Sequence, residues 1–189
     1  MAVVAVIAFV AATLGIGVDA LPGERLAVDE PQYWFTALSL AQDADLDISD
    51  ELGEQRWRQF TDAAPPVETV VQDDGRQISP HDPLLPLLLA APVATGGWVG
   101  AKLTLAVLAG ALAAATVWTA VRRFDVPVTL SAGGVAVAAA SAPLAVYGQQ
   151  LYPELPAALT CLLGVAALTT ALPAGTPRRP QLALLTAAV

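Results

Sequence analysis

From Gly97 to Leu172 the chain carries charge only at Lys102, Arg122, Arg123, Asp125 and Glu154. A stretch so poor in charge and so rich in Ala, Leu and Val restricts the fold to helices that face lipid or one another, because buried backbone groups must find partners within the segment itself. A spanning helix needs about 20 predominantly apolar residues. Residues 98–121, 127–147 and 155–172 meet that demand, with Lys102 near one end where its stem can snorkel. Another run starts near residue 181, so the sequence reads as the N-terminal part of a longer polytopic protein. Residues 1–18 are the first span. A signal peptide is the rival reading there, with Val18-Asp19-Ala20 as a cleavage site. The run lacks a positive leading region, however, and exceeds the usual apolar core of roughly 7 to 15 residues.

The remaining charge is concentrated in one place. The chain has 189 residues, 56% apolar and 14% charged, against about 25% charged in an ordinary soluble domain. Residues 19–97 hold all the acidic residues except Asp125 and Glu154, and the net charge of −8 therefore belongs to that segment. Such an acidic surface repels phosphates, which excludes a nucleic-acid partner. Arg122-Arg123 and Arg178-Arg179 lie in the short connections after the second and fourth spans, and basic residues stay cytoplasmic. Both pairs give one orientation, with the N-terminus inside and both residues 19–97 and the Gln149–Pro156 turn outside. The expected fold is therefore all-α: a multi-pass cell-membrane protein with a large first extracytoplasmic loop containing short interfacial helices, and residues 98–189 as the helical membrane region.

Within the loop, Asp29-Glu30-Pro31 precedes the aromatics Tyr33, Trp34 and Phe35. Pro31 suits a first helical turn, and the sequence after it predicts a short amphipathic helix lying on the membrane with its aromatics at headgroup depth. The two carboxylates either cap that helix or act as a site, with Asp29 as general base and Glu30 positioning an acceptor or holding a cation. His81-Asp82-Pro83 reads as a turn, or as a phosphate or metal site. Glu154, within Tyr152-Pro153-Glu154, sits at a span boundary, where ionisable groups are default site candidates. Residues 62–77 read as a polar loop, and Pro83 to Thr95 as an interfacial or re-entrant segment. Asp43, Asp45, Asp47 and Glu54 match part of a calcium loop, but Ile48 stands where the sharp turn needs glycine, so a solvated acidic turn is the expectation. Cys161 reads as a small buried hydrophobe. With no Asn there is no N-glycosylation site.

Asp29-Glu30-Pro31-Gln32-Tyr33, the run from Ala37 to Asp47, His81-Asp82-Pro83-Leu84-Leu85-Pro86 and Gln149-Gln150-Leu151-Tyr152-Pro153-Glu154-Leu155-Pro156 together resemble membrane glycosyltransferases of the GT-C type, near the protein-mannosyltransferase and aminoarabinose-transferase branch. The resemblance covers most of residues 28–172. It implies sugar transfer on the outer face from a polyprenyl-phosphate-linked donor within the membrane lipid. By that likeness Asp29 is the catalytic base, Glu30, Tyr33, His81, Asp82, Tyr152 and Glu154 contact substrate, and a divalent cation is the candidate cofactor, with Glu154 and Asp29 as candidate ligands. A non-catalytic transporter or assembly subunit, in which these carboxylates cap helices or bind ions, is the rival reading.

Overall fold

The computed structural model describes residues 1–19, 25–26, 29–59, 64, 66, 68–142 and 144–171. The Arg178-Arg179 pair, the run near residue 181, Leu172 and Asp62 lie outside them. Helices dominate: α1 (Ala2–Leu14), α2 (Glu30–Gln42), α3 (Ser49–Gly53), a 3₁₀ turn (Arg56–Gln59), α4 (Leu84–Phe124), α5 (Val128–Ala139), α6 (Leu144–Tyr147) and α7 (Glu154–Ala171). A two-stranded antiparallel hairpin, β1 (Val70–Val71) with β2 (Gln77–Ile78), interrupts the stretch read as a loop. Its register pairs Val70 with Ile78, and Gly75 turns the chain at φ +90°.

The central element is α4, against which α1, α2, α5 and α7 all pack. The sequence predicts two segments here, an interfacial piece from Pro83 to Thr95 and a span over 98–121. The structure joins them into one helix kinked at Gly97 (φ 54°, ψ −140°). Asp82 accepts the Leu84 N–H at 2.8 Å where α4 starts, and Asp125, in the left-handed conformation, ends it ahead of Pro127. Basic Arg122 and Arg123 occupy its last turn, where they complement the negative helix end. Among the described residues α4 alone is long and apolar enough to cross a membrane; α1, α5 and the Glu154–Thr169 part of α7 are apolar but shorter. The expected span over 127–147 breaks after Ala139 and resumes only as the single turn of α6.

Small residues let these helices approach closely. Val4, Ala8 and Ala12 recur every four residues and form the buried face of α1. They share two apolar clusters with Ala106, Ala109, Ala113 and Val117 of α4, and Ala139 and Leu155 complete those clusters. A third cluster joins Trp34, Phe35 and Leu38 of α2 to Leu85, Leu89 and Leu105 of α4 and to Leu151.

Three expectations are corrected. Residues Glu30 to Ser39 of α2 are buried almost without exception, so α2 is a core helix and not an amphipathic helix resting on a surface. Its apparent polar face is covered because Gln32, Thr36 and Ser39 make hydrogen bonds to Pro66, Gln32 and Asp45–Asp47 backbone or side-chain oxygens. Lys102 does not snorkel; it is 4% exposed. Cys161 is exposed on α7 rather than buried.

Candidate functional site

The site forms where the start of α2, the approach to α4 and the turn before α7 meet. Asp29 is the residue that opens α2, its carbonyl accepting the N–H groups of Gln32 and Tyr33 at 3.0 and 3.4 Å. Its carboxylate makes no capping hydrogen bond. Instead, Asp29 Oδ1 lies 3.9 Å from His81 Nε2, and Glu68 Oε2 lies 3.8 Å from the same nitrogen. His81 Nε2 is buried and has no hydrogen-bond partner, although both carboxylates face it. The imidazole stacks on Tyr33, with ring centroids 5.0 Å apart and planes 16° from parallel. Tyr152 meets the Tyr33 ring edge-on at 6.3 Å.

Both phenols are pushed above their ordinary value. For Tyr33 the first cause is burial, followed by the negative charges of Asp29, Glu154 and Asp82. For Tyr152 it is again burial; a hydrogen bond with the Asp29 backbone works the other way, and Glu30, Asp29 and Glu154 add to the rise. These tyrosines therefore remain protonated well above neutral pH and can donate hydrogen bonds to an acceptor oxygen. The structure thus gathers Asp29, Tyr33, His81, Asp82, Tyr152 and Glu154 into one electrostatic neighbourhood. Glu154 is exposed at the first turn of α7. Asp82 spends one oxygen on the Leu84 N–H at the start of α4, which is the bland role the turn reading gives it.

Glu30 is differently engaged. It is fully buried, and its Oε1 accepts a hydrogen bond from Lys102 Nζ at 3.2 Å and from the Leu151 N–H at 2.8 Å. Lys102 also donates to the Gln149 carbonyl and lies 4.2 Å from the centre of the Trp98 ring. The pair therefore ties α2, α4 and the turn before α7 together, and these bonds are architectural. A small polar cavity beside it is lined by Arg25, Asp19, Gln149 and Gln150.

The donor set Asp29, Glu68 and His81 fits a divalent cation: its three ligand atoms lie within 4.8 Å of one another, and an orphaned imidazole nitrogen faces two carboxylates. Mixed nitrogen and oxygen ligands suit such an ion. Glu154 does not belong to that set. Glu68 went unnoticed in the sequence because nothing in its spacing from Asp29 or His81 marks it. The burial of Lys102 had a signal in the sequence, where it is the one lysine of the chain and is set inside an apolar run. An apolar cavity of about 490 Å³ adjoins the cluster, lined by Asp82, Leu84, Leu85, Leu88, Pro156 and Thr160 and running between α4 and α7. No protein-family model, curated protein or solved structure matches this chain.

Proposed function

We propose that this chain belongs to a polytopic membrane glycosyltransferase that moves a sugar from a polyprenyl-phosphate donor to an acceptor on the outer face. The observation that carries the reading is the adjacency of the Asp29–His81–Tyr33–Tyr152 cluster to the apolar cavity between α4 and α7. A lipid-linked donor needs both halves of that arrangement: an apolar groove for the prenyl chain and a polar mouth for the reacting sugar. The membrane setting is supported by the outward faces of the helices. Val3, Val6, Val10 and Leu14 on α1, Leu130 and Val137 on α5, and Leu163 and Leu168 on α7 are all exposed, an amount of bare apolar side chain that suits lipid better than water.

Asp29 accepts the proton of the acceptor hydroxyl as that oxygen attacks the anomeric carbon and the lipid phosphate leaves. His81 faces that carboxylate at 3.9 Å, and the Tyr33 and Tyr152 hydroxyls orient the acceptor. Asp29, Glu68 and His81 would hold a divalent cation, which would supply charge neutralisation for a phosphate that an acidic cluster otherwise repels.

The test is sugar transfer by the full-length protein in vesicles supplied with a polyprenyl-phosphate sugar. Asp29→Asn should lower turnover by about 10²- to 10⁴-fold, the usual worth of a general base. Turnover near that of the wild type removes Asp29 as the base. A wild-type protein inert with every lipid-linked sugar removes the transferase reading and leaves a transporter or assembly subunit.

A further inference from the structure

A second group of carboxylates lies away from this cluster, where α2 gives way to α3. Asp43 follows the last turn of α2, and Asp50 and Glu51 lie in the first turn of α3. One carboxylate oxygen from each falls within 4.8 Å of the other two. Asp43 and Asp50 are exposed, whereas Glu51 is fully buried and both of its oxygens lack a hydrogen-bond partner. An unpartnered buried carboxylate is costly, and the remedy is a proton or a cation.

The turn between the helices keeps its other carboxylates busy. Asp45 Oδ1 accepts the Ser39 hydroxyl and the Asp47 N–H, both at 2.9 Å. Asp47 Oδ1 accepts the N–H groups of Ser49 at 3.1 Å and Gln77 at 2.9 Å. Ala44, just before Asp45, adopts a left-handed φ of 62°. The backbone is thus fixed by Asp45 and Asp47, which leaves Asp43, Asp50 and Glu51 available. The nearby cation does not fill the gap. Arg56 of the 3₁₀ turn forms its ion pair with Glu54 at 2.7 Å and donates to Gln42 Oε1 at 2.7 Å.

We infer that Asp43, Asp50 and Glu51 bind a divalent calcium-class cation that fastens the end of α2 to α3. The donors are all oxygen, the preference of hard cations. Three carboxylate oxygens within 4.8 Å of one another can share one ion, and calcium's flexible shell suits an irregular donor set better than the near-octahedral geometry that magnesium demands. The site differs in chemistry from the Asp29 group, which offers an imidazole.

The experiment is calcium titration of the full chain in detergent after chelator treatment, by calorimetry and by thermal melting. Beside any ion held by the Asp29 group, one ion per chain should bind with Kd of about 10⁻⁴ to 10⁻³ M, the range of extracellular modules, and raise the melting temperature; magnesium should do so more weakly. Glu51→Gln should weaken binding at least about tenfold, the least that loss of a metal-supporting group costs. Asp43→Asn, on the exposed side and free of core packing, should do the same, while His81→Ala leaves calcium binding at this site intact. Absence of saturable binding, or binding by both the Glu51 and Asp43 variants as tight as the wild type's, overturns the site and makes Glu51 a buried protonated acid.

Discussion

The Asp47 carboxylate accepts backbone N–H groups from two elements, Ser49 at the start of α3 and Gln77 in β2, and its backbone forms an isolated bridge with Ile78. A single side chain thus seats the hairpin against the helical turn. Burial alone would raise its pKa, but the hydrogen bonds from Gln77 and Ser49 and the charge of Arg76 outweigh it, and the group ends below its ordinary value. A carboxyl depressed in the folded state contributes stability that is present above its unfolded pKa and is lost as pH falls through the lower folded value. The wild type should therefore lose stability below about pH 4, and Asp47→Asn should lose less over the same interval. At neutral pH, Asp47→Ala should cost about 1–2 kcal/mol, the usual range for a lost helix-start acceptor. Thermal melts of both variants across pH check this; identical acid profiles for wild type and Asp47→Asn would show that Asp47 carries no proton linkage.

Helix α4 bends where its sequence relinquishes side chains. Gly97 takes φ 54° and ψ −140°, a combination outside the left-handed helical well that a Cβ tolerates poorly. Three residues on, a Cβ on Gly100 would collide with the Pro92 carbonyl, so the two arms approach as closely as they do only because that position is bare. Gly97→Ala should cost about 1–3 kcal/mol through backbone strain, and Gly100→Ala should destabilise by overpacking, about 1–3 kcal/mol. The control is Gly96→Ala, one residue before the bend, which has ordinary φ and open space around it; equal melting of all three variants would mean that the kink relaxes freely. Sequence composition revealed the helical character of α1, α4, α5 and α7, since charge-poor runs of Ala, Leu and Val have few alternatives. It did not reveal the bend, because Pro92 and Gly97 read equally well as a break between separate segments. It also misjudged α2: Gln32, Thr36 and Ser39 look like a wet face until the oxygens that receive their hydrogen bonds are known. The site was legible where residues lie beside a proline-marked turn, as with Asp29, His81 and Tyr152, and illegible where only tertiary packing supplies the neighbour, as with Glu68.

On the scale of the molecule, the proposed orientation puts Arg122-Arg123 and the acidic hairpin on opposite sides of a bilayer. With Cys161 replaced by Ser, single cysteines at Asp74 and Arg122 should react with an impermeant thiol reagent from opposite faces of sealed vesicles; labelling from one face would overturn that orientation. The architecture holding these parts together turns on Glu30 and Lys102, 72 residues apart in sequence and both buried. The pair draws α2 to α4, and through the Leu151 N–H and the Gln149 carbonyl it fixes the turn that carries Tyr152. Two desolvated charges contribute little net stability together, but removing one strands the other in a low-dielectric interior. Lys102→Met should therefore cost about 3–5 kcal/mol, and Glu30→Gln should recover part of that loss when added to it, because an amide costs less to bury than an unpaired carboxylate. A double-mutant cycle on thermal stability in detergent measures the coupling. Loss of the pair should also loosen the Tyr33–Tyr152 contact and with it any activity of the Asp29 cluster, although neither Glu30 nor Lys102 belongs to that cluster. Strict additivity of the two substitutions would mean that Glu30 finds another partner when Lys102 is gone, and that the three segments are held by their apolar contacts alone.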